Sequence, residues 1–215
     1  MSKDQVKKHF NKKAQAFDSI YSGEKNIFGR FLDKKLRWDM EKRLQRTLEE
    51  CGNVAGKTII DIGCGSGRLM EALQKKNPKM ILGIDFAPNM IFMAKKNLNK
   101  NNPDIPCRFL VGDFSQMHFK NSFDISLAIG FFDYISDPFP FLLKIAQITK
   151  EKFIATFPRK DTLRSKLRKL RLQFQSCPVN FFTVDQVRHL IKKAGFSQIQ
   201  YETFGQLIFI TAKRS

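Results

Sequence analysis

Three glycines, Gly63, Gly65 and Gly67, stand close together in the segment DIGCGSG, between a short apolar run and a helix-like pattern. Glycine is entropically costly in regular structure, so such a cluster indicates a backbone that turns sharply or approaches something closely. A helix that begins after such a turn also presents N–H groups without intrahelical partners. The residues therefore predict a turn that binds a ligand through its backbone.

The spacing around these glycines separates the ligands that such turns bind. A phosphate-binding P-loop ends in Gly-Lys-Ser or Gly-Lys-Thr, whereas Gly67 is followed by Arg68 and Leu69, which excludes that class. The dinucleotide fingerprint G-x-G-x-x-G requires a glycine where Arg68 stands, because Gly67 comes one residue early. A dinucleotide is therefore disfavoured and stays open as an alternative.

Two carboxylates that follow later apolar runs have the chemistry to bind a nucleoside. Asp85 ends the second run and Asp113 follows the third. A carboxylate accepts hydrogen bonds from both hydroxyls of a ribose better than an amide does. Read with these two acids, the glycine turn is less well explained by a phosphate.

The elements that position these residues alternate regularly from Lys57 onward. Apolar runs that read as strands alternate with helical patterns, and two further strands close the chain. We expect an α/β fold with a doubly wound, seven-stranded, mostly parallel sheet, whose last strand is antiparallel and whose ligands bind at the carboxyl ends of the strands. Thr183 is expected to cap the last helix, and Gly195 to end it.

Two segments lie outside this alternation and define the expected domains. Residues 1–50 read as helical, with Leu36 and Met40 on one face, and are expected to form an N-terminal cap or lid. Residues 51–215 form the main domain, which contains a basic, amphipathic helical insert at 158–182. The arginines of the insert are candidate contacts to an anionic substrate: Arg159, Arg164, Arg168 and Arg171.

The segment DIGCGSG resembles the D-x-G-x-G-x-G signature of class I, Rossmann-like S-adenosylmethionine-dependent methyltransferases. GIDFAPNMI, VGDF and FDISLAIGFFDYI resemble the segments that follow it in that family, and they occur in the same order. The resemblance covers residues 57–157. It implies a methyltransferase that uses S-adenosylmethionine as its cofactor, and no metal is expected.

The resemblance also implies which residues bind the cofactor. Asp85 would take the ribose, Asp113 and the backbone of Phe114 the adenine, and the glycine turn the amino-acid end. Cys64 contributes its backbone and is not expected to be a nucleophile. The complete predicted set is Tyr21, Asp61, Gly63, Cys64, Gly65, Gly67, Asp85, Phe86, Met90, Gly112, Asp113, Phe114, Ile129 and Gly130.

Methyl transfer needs an acceptor atom in line with the activated methyl group, at about 3–3.5 Å. An oxygen or nitrogen acceptor can also need a base. Asp133 and Tyr134, after the fourth strand, and His9, near the start of the chain, are the candidate catalytic residues. Catalysis by proximity alone, without a base, is the alternative.

The sequence defines the acceptor less closely than the cofactor. HFNKKAQAFDSIYS resembles the leading helix of small-molecule methyltransferases of ubiquinone and biotin biosynthesis, and FDSIYSGEKN resembles the magnesium-protoporphyrin O-methyltransferases. GFFDY stands where amino-directed nucleic-acid methyltransferases carry D/N-P-P-Y/F, which disfavours DNA. We expect O-methylation of a small, acidic or membrane-associated metabolite. Methylation of RNA or of a protein through the basic insert is the alternative.

Composition narrows the partners and the compartment. The chain has 215 residues and a formal net charge of +18, which favours anionic partners such as an acidic metabolite, an anionic membrane or, less favoured, nucleic acid. Because no run of eighteen apolar residues and no signal peptide is present, a soluble cytoplasmic protein is expected. The four cysteines form no C-x-x-C pair, which disfavours zinc and a disulfide framework.

Overall fold

The computed structural model describes residues 27–98, 107–160 and 180–215. Its helices are α1 (Ile27–Cys51), α2 (Arg68–Gln74), α3 (Pro88–Leu98), α4 (Phe139–Ile148) and α5 (Val184–Lys193). Its strands are β1 (Thr58–Ile62), β2 (Met80–Asp85), β3 (Cys107–Val111), β4 (Phe123–Ala128), β5 (Thr149–Pro158), β6 (Phe196–Phe204) and β7 (Leu207–Arg214). Short 3-10 turns follow β3 and β4, at Phe114–Gln116 and Phe132–Tyr134.

The strands form one sheet in the order β3-β2-β1-β4-β5-β7-β6. β1 to β5 pair in parallel, and β7 is antiparallel to both of its neighbours, β5 and β6. This arrangement confirms the predicted fold class, a doubly wound, mostly parallel sheet of seven strands. The strand order reverses between β1 and β4, and in sheets of this kind that reversal marks the binding crevice.

Buried side chains cover both faces of the sheet. Ile60 and Ile84 belong to the layer that packs against α4 and α5, and Ile59 and Ile81 to the opposite layer, against α2 and α3. All four of these side chains are fully buried. Strands that bury successive residues on both faces read as continuous apolar runs, which is why their existence could be predicted from the sequence.

The apolar run SFDISLAIGFF reads as one strand, but only Phe123–Ala128 is a strand in the structure. Gly130 has a φ of 78°, in the left-handed region, and turns the chain out of the sheet. The segment Phe132–Tyr134 then forms a 3-10 turn. Of the apolar residues from Ile129 to Phe132, only Phe132 is buried, and it lies in this turn and not in a strand.

The helix that precedes the last hairpin has the predicted limits. Thr183 forms a capping box with Gln186: the Gln186 amide donates to Thr183 Oγ1 over 3.2 Å, and the Thr183 amide donates to Gln186 Oε1 over 2.9 Å. Gly195 follows the helix with a φ of 93°, which favours glycine. The predicted cap and stop are thus confirmed.

The second half of α1 is fixed to the sheet. Met40 is buried, and Leu44 and Leu48 pack against the layer that contains Ile59 and Ile81. These leucines follow the predicted apolar face of the N-terminal segment, which in this part of the helix therefore points at the core.

Polar contacts tie the same half of α1 to distant parts of the chain. Arg46 Nε lies 2.8 Å from Glu202 Oε2 on β6. Near the C-terminal end of the helix, the ammonium groups of Lys76 and Lys152 donate to the carbonyls of Leu48 and Glu50, over 3.0 and 2.6 Å. Basic side chains at this end satisfy carbonyls that have no partner within the helix.

Several predicted features lie outside the described residues: the first part of the N-terminal cap with His9 and Tyr21, and Arg164, Arg168 and Arg171 of the insert. The cap, the insert and the domain limits at residues 50 and 51 stay predictions. Among the helices of the described ranges, none combines the length and the apolar character that are needed to cross a membrane.

Candidate cofactor-binding site

The glycine turn is fastened to the carboxyl end of β2. The amides of Gly63 and Cys64 both donate to the carbonyl of Ile84, over 2.8 and 3.0 Å. The amide of Gly65 donates to Asp85 Oδ2 over 3.0 Å. A side chain at Gly65 would meet no atom within 4 Å, so the turn leaves open space at that position. Such an open cradle of backbone suits a ligand that comes close to the main chain.

Gly67 is required for a different reason from Gly65. A Cβ at Gly67 would lie 2.9 Å from the side chains of both Ala94 and Leu98 on α3. The missing side chain at this position therefore lets α2 and α3 pack closely. The role of Gly67 in binding the cofactor stays a prediction.

Asp85 joins the turn to the start of α3. Its Oδ1 accepts from the Ala87 amide over 2.8 Å, and its Oδ2 accepts from Gly65. The side chain is buried, and burial raises the pKa of this carboxyl above its usual range. Each carboxylate oxygen can accept a second hydrogen bond. Asp85 can therefore hold the turn and still accept from the two hydroxyls of a ribose.

Asp61, at the other side of the turn, is a second buried acid. Burial, and then the neighbouring charge of Asp85, raise the pKa of Asp61 to about 7. Burial first, and then Asp61 and Asp85, raise the pKa of the Cys64 thiol well above its usual value. Cys64 is thus a buried neutral thiol, in agreement with its predicted lack of nucleophilic character. Two acids this close favour a ligand that brings a positive charge.

The carboxyl end of β3 lies beside Asp85. The Gly112 amide donates to the Asp85 carbonyl over 2.9 Å. Asp113 Oδ1 accepts from the amide and the hydroxyl of Ser115, over 2.8 and 2.7 Å, and so caps the 3-10 turn that contains the buried Phe114. The structure therefore brings the residues predicted for ribose and adenine to one edge of the sheet. At the same edge, the half-buried Phe86 precedes α3 and the buried Met90 lies in its first turn.

Two residues that the sequence did not single out meet at Gly130, just after β4. The Gly130 amide donates to the hydroxyl of Thr156 on β5 over 2.8 Å, and Thr156 is fully buried. On the other side, a Cβ at Gly130 would lie 3.1 Å from Nη1 of Arg43 on α1. The half-buried Ile129 precedes this glycine. Helix α1 therefore delivers a guanidinium group to the crevice between β1 and β4.

The sequence contains only a weak signal for Arg43, because α1 carries many basic residues. Among the described residues, no carboxylate forms an ion pair with Arg43, whereas Arg46, one turn later, pairs with Glu50 and Glu202. Only the packing of α1 on the sheet distinguishes the two arginines.

The candidate catalytic residues of the turn after β4 have different exposures. Asp133 is buried and Tyr134 is half-buried, and both belong to the 3-10 turn Phe132–Tyr134. The backbone carbonyl of Asp133 accepts from the amide of Asn180, over 3.0 Å. The structure thus places both side chains after the strand that borders the crevice. Their catalytic roles stay predictions, as does that of His9.

Arg159 follows β5 directly and is half-buried. Its amide donates to the carbonyl of Gln206 over 2.8 Å, and a parallel bridge joins it to Phe182. Its Nε is shielded from solvent and has no hydrogen-bond acceptor within the described residues. A shielded guanidinium nitrogen of this kind is suited to an anionic ligand, since leaving it without an acceptor is costly.

The donors and acceptors at the crevice fit S-adenosylmethionine. Asp85 and Asp113 suit its nucleoside, the open turn at Gly65 and the acid Asp61 suit its amino group, and Arg43 suits its carboxylate. In the described part of the chain, no group of three His, Cys, Asp or Glu side chains is arranged to hold a metal ion.

Known proteins resemble the chain at the level of family and of fold. Residues 53–199 match the family model described as a methyltransferase domain. The chain is 29% identical over 130 residues to a tRNA U34 carboxymethyltransferase of Colwellia psychrerythraea, and this match covers 60% of this chain and 39% of the relative. It is 26% identical over 153 residues to a malonyl-[acyl-carrier protein] O-methyltransferase of Anoxybacillus flavithermus, and this match covers 71% of this chain and 51% of the relative. The matches thus span about half, or less, of these curated relatives.

A solved structure extends the resemblance to the whole chain. The magnesium protoporphyrin IX methyltransferase of Synechocystis, solved with bound S-adenosylhomocysteine, superimposes with a TM-score of 0.83 at 19% identity, covering 100% of both chains. At that identity the likeness concerns the fold. The family match spans more than half of the chain, so the chain belongs to the methyltransferase domain family and has the Rossmann-like fold of S-adenosylmethionine-dependent methyltransferases.

Proposed function

We propose that the protein transfers a methyl group from S-adenosylmethionine to an oxygen of a small acidic metabolite. The proposal that S-adenosylmethionine binds here rests on the hydrogen bond of 3.0 Å between the Gly65 amide and Asp85, which joins the open turn to the acid at the end of β2. The reaction class is further supported by the family match over residues 53–199.

The residues of the chain have separate tasks in this proposal. Asp85 and Asp113 hold the nucleoside, Asp61 faces the amino group, and Arg43 binds the carboxylate of the cofactor. Gly130, fixed by its hydrogen bond to Thr156, gives the crevice a defined wall beside the acceptor. These contacts hold the donor so that the acceptor can approach in line with its methyl group.

S-adenosylmethionine supplies a methyl group on a positively charged sulfur. As the bond between this methyl and the acceptor oxygen forms, the bond to sulfur breaks and a neutral thioether remains. An acceptor hydroxyl must also lose its proton, for which Asp133, Tyr134 and His9 are the candidate bases. An acceptor carboxylate needs no base, and for such an acceptor positioning alone suffices.

Arg159 supports the acidic character of the acceptor. It follows β5, next to β4 in the sheet, and its shielded Nε has no acceptor within the described ranges. The amide of Asn180, where the chain returns from residues 161–179, is bonded to Asp133 after β4. The described residues on either side of the segment 161–179 thus lie near the end of β5 and the turn after β4, and Arg164, Arg168 and Arg171 stand between them in the sequence. An anionic membrane surface would suit the same charges.

RNA is the second candidate acceptor. The net charge of +18 favours contact with phosphates, and one relative by sequence is named as a tRNA carboxymethyltransferase. Binding to RNA through this charge would weaken steeply with added salt, because it releases counterions.

A labelling experiment separates the two acceptors. The protein is incubated with S-adenosylmethionine labelled in its methyl group, and with either a small-molecule extract or total tRNA. The proposal expects label in the small molecules, at a rate that Arg159→Ala lowers while the affinity for S-adenosylhomocysteine stays the same. Transfer to tRNA alone would replace the acidic metabolite by RNA. Transfer to neither acceptor, in protein that binds the cofactor, would contradict both.

A further inference from the structure

Phe131 lies across the crevice between β1 and β4. Its Cδ2 is 3.1 Å from the position that a Cβ on Gly63 would occupy, so the ring lies directly against the first glycine of the turn. Gly63 follows β1 and Phe131 follows β4, the two strands between which the order of the sheet reverses. The ring therefore stands at the topological switch point, where sheets of this kind bind their ligands.

Neighbouring rings fix the position of Phe131. Its centroid lies 5.3 Å from Phe132, 5.5 Å from Phe141 and 6.4 Å from Phe114, at interplanar angles of 80°, 64° and 82°. Phe132 is itself fully buried and stacks on Phe157 at 4.3 Å. A ring that makes edge-to-face contacts with three others cannot reorient without disturbing them. Phe131 is thus a preorganised part of the crevice.

Phe131 is only partly covered, and no cation within the described ranges stacks on its ring. Phe131 is half-buried, whereas the adjacent Phe132 is fully buried. Within the described ranges, no lysine or arginine stacks on Phe131, while Lys144 lies 5.3 Å from the ring of Phe114. The π-electrons of Phe131 are therefore available to a positive charge on a ligand.

The residues on the two sides of the crevice indicate which charged group of the cofactor lies beside Phe131. Asp85 and Asp113, at the ends of β2 and β3, suit the nucleoside, whereas Asp61 and Arg43 suit the amino acid on the side of β1 and β4. In S-adenosylmethionine the sulfonium sulfur joins these two halves. A ring at the ends of β1 and β4 is therefore placed beside the joint, which is the only positive charge of the cofactor that is lost on methyl transfer.

We infer that the ring of Phe131 binds the sulfonium group by a cation–π contact and makes the site prefer S-adenosylmethionine to S-adenosylhomocysteine. The inference rests on the proposed function, since it needs the cofactor in this crevice. The product has lost the sulfonium charge and keeps every other group, so the contact favours exchange of product for fresh cofactor. Phe131 is thus a residue that sets specificity between the two forms of the cofactor.

The test measures the affinities of both forms by titration calorimetry in the absence of an acceptor. In Phe131→Leu we expect the dissociation constant of S-adenosylmethionine to rise about tenfold, as for a desolvated cation–π contact, and that of S-adenosylhomocysteine to change less than about twofold. Phe204→Leu is the matched control, because it removes a buried ring from β6, the edge strand away from the crevice. It should leave the ratio of the two affinities unchanged.

A second series keeps the shape of the ring. Replacing Phe131 by phenylalanines with one, two and three ring fluorines withdraws π-electron density stepwise, so the affinity for S-adenosylmethionine should fall stepwise while that for S-adenosylhomocysteine stays level. Equal losses for both ligands would reduce Phe131 to a packing residue and overturn the inference, and tighter binding of both in Phe131→Leu would mean that the ring obstructs the crevice. Wild-type protein that binds neither ligand would contradict the proposed function itself, and the inference with it.

Discussion

The hydroxyl of Thr156, fully buried on β5, accepts a hydrogen bond of 2.8 Å from the amide of Gly130, one residue before Phe131. The bond spans two neighbouring strands and fixes the turn in which β4 leaves the sheet. The guanidinium of Arg43 also lies close to this glycine, 3.1 Å from the position that a Cβ would occupy. Gly130 is thus bonded to β5 and lies beside α1.

Replacing Thr156 by valine keeps the shape of the side chain and removes the acceptor. We expect Thr156→Val to lower the free energy of unfolding by about 1 kcal/mol, the low end of the cost of leaving an amide without a partner, because the Gly130 amide is half-buried. Thr156→Ser keeps the hydroxyl and should retain most of the affinity for S-adenosylhomocysteine. Urea denaturation measures the free energy of unfolding of the valine variant, and calorimetry measures the affinity of the serine variant. A valine variant as stable as the wild type would show that the bond contributes nothing.

Asp85 is expected to dominate the binding of the nucleoside. Asp85→Ala removes the acceptor for the ribose and also releases the Gly65 amide, so the affinity for S-adenosylhomocysteine should fall more than about tenfold. Asp124→Asn is the control, since Asp124 bonds to Thr58 at the opposite ends of the strands. Calorimetry on both variants tests this, and an unchanged affinity in Asp85→Ala would remove Asp85 from the site.

Arg43 should distinguish ligands with and without the amino-acid end. Arg43→Met should weaken S-adenosylhomocysteine about tenfold or more, through loss of a charge-assisted contact. It should leave methylthioadenosine, which lacks the carboxylate, unaffected. Gln45→Ala, an exposed change on the same helix, is the control. Equal losses for the two ligands would show that Arg43 acts through the fold and not through the carboxylate.

Asp61 should make stability depend on pH. Burial and Asp85 raise its pKa to about 7, so the folded protein binds this proton more tightly than the unfolded chain does. The resulting stabilisation is complete below the unfolded pKa, near 4, and is lost as the pH rises through about 7. Asp61→Asn cannot ionise, so its free energy of unfolding should rise relative to that of the wild type as the pH increases from 4 to 8. Urea denaturation at each pH measures this difference. A difference that is constant over this range would place the Asp61 pKa near its ordinary value.

The arginines of the predicted insert should affect the acceptor and not the cofactor. Charge reversal at Arg164, Arg168 and Arg171 should lower methyl transfer, or binding to anionic vesicles, while the affinity for S-adenosylhomocysteine stays the same. Vesicle sedimentation and calorimetry read the two effects separately. Parallel losses of cofactor and acceptor binding would indicate that the segment supports the fold.

The first four strands could be predicted because each is a mainly apolar run that ends at an acid or is followed within two residues by a glycine. Asp85 ends β2 and Asp113 stands two residues after β3, so the topology alone brings them together. Arg43 and Thr156 had no such signal. Each meets Gly130 only through packing between distant segments, and an arginine among many basic residues of a helix, or a threonine in a strand, looks ordinary in sequence.

Gly67 is a second position whose neighbours could not be predicted from the sequence. The glycine pattern pointed to a ligand at each position, yet a Cβ at Gly67 would collide with Ala94 and Leu98. Whether a glycine makes room for a ligand or for a neighbouring helix depends on what the fold places beside it. Sequence spacing contains no information on that neighbour.

The ion pair between Arg46 and Glu202 joins residues that are 156 positions apart. On the ribosome, α1 emerges early and β6 late, so the nascent chain holds α1 for most of its synthesis without this partner. The contacts of α1 with Lys76 and with the layer that contains Ile59 and Ile81 involve residues that emerge much earlier. The docking of α1 can therefore begin before the sheet is complete, and the ion pair with Glu202 adds to it only when β6 has been made.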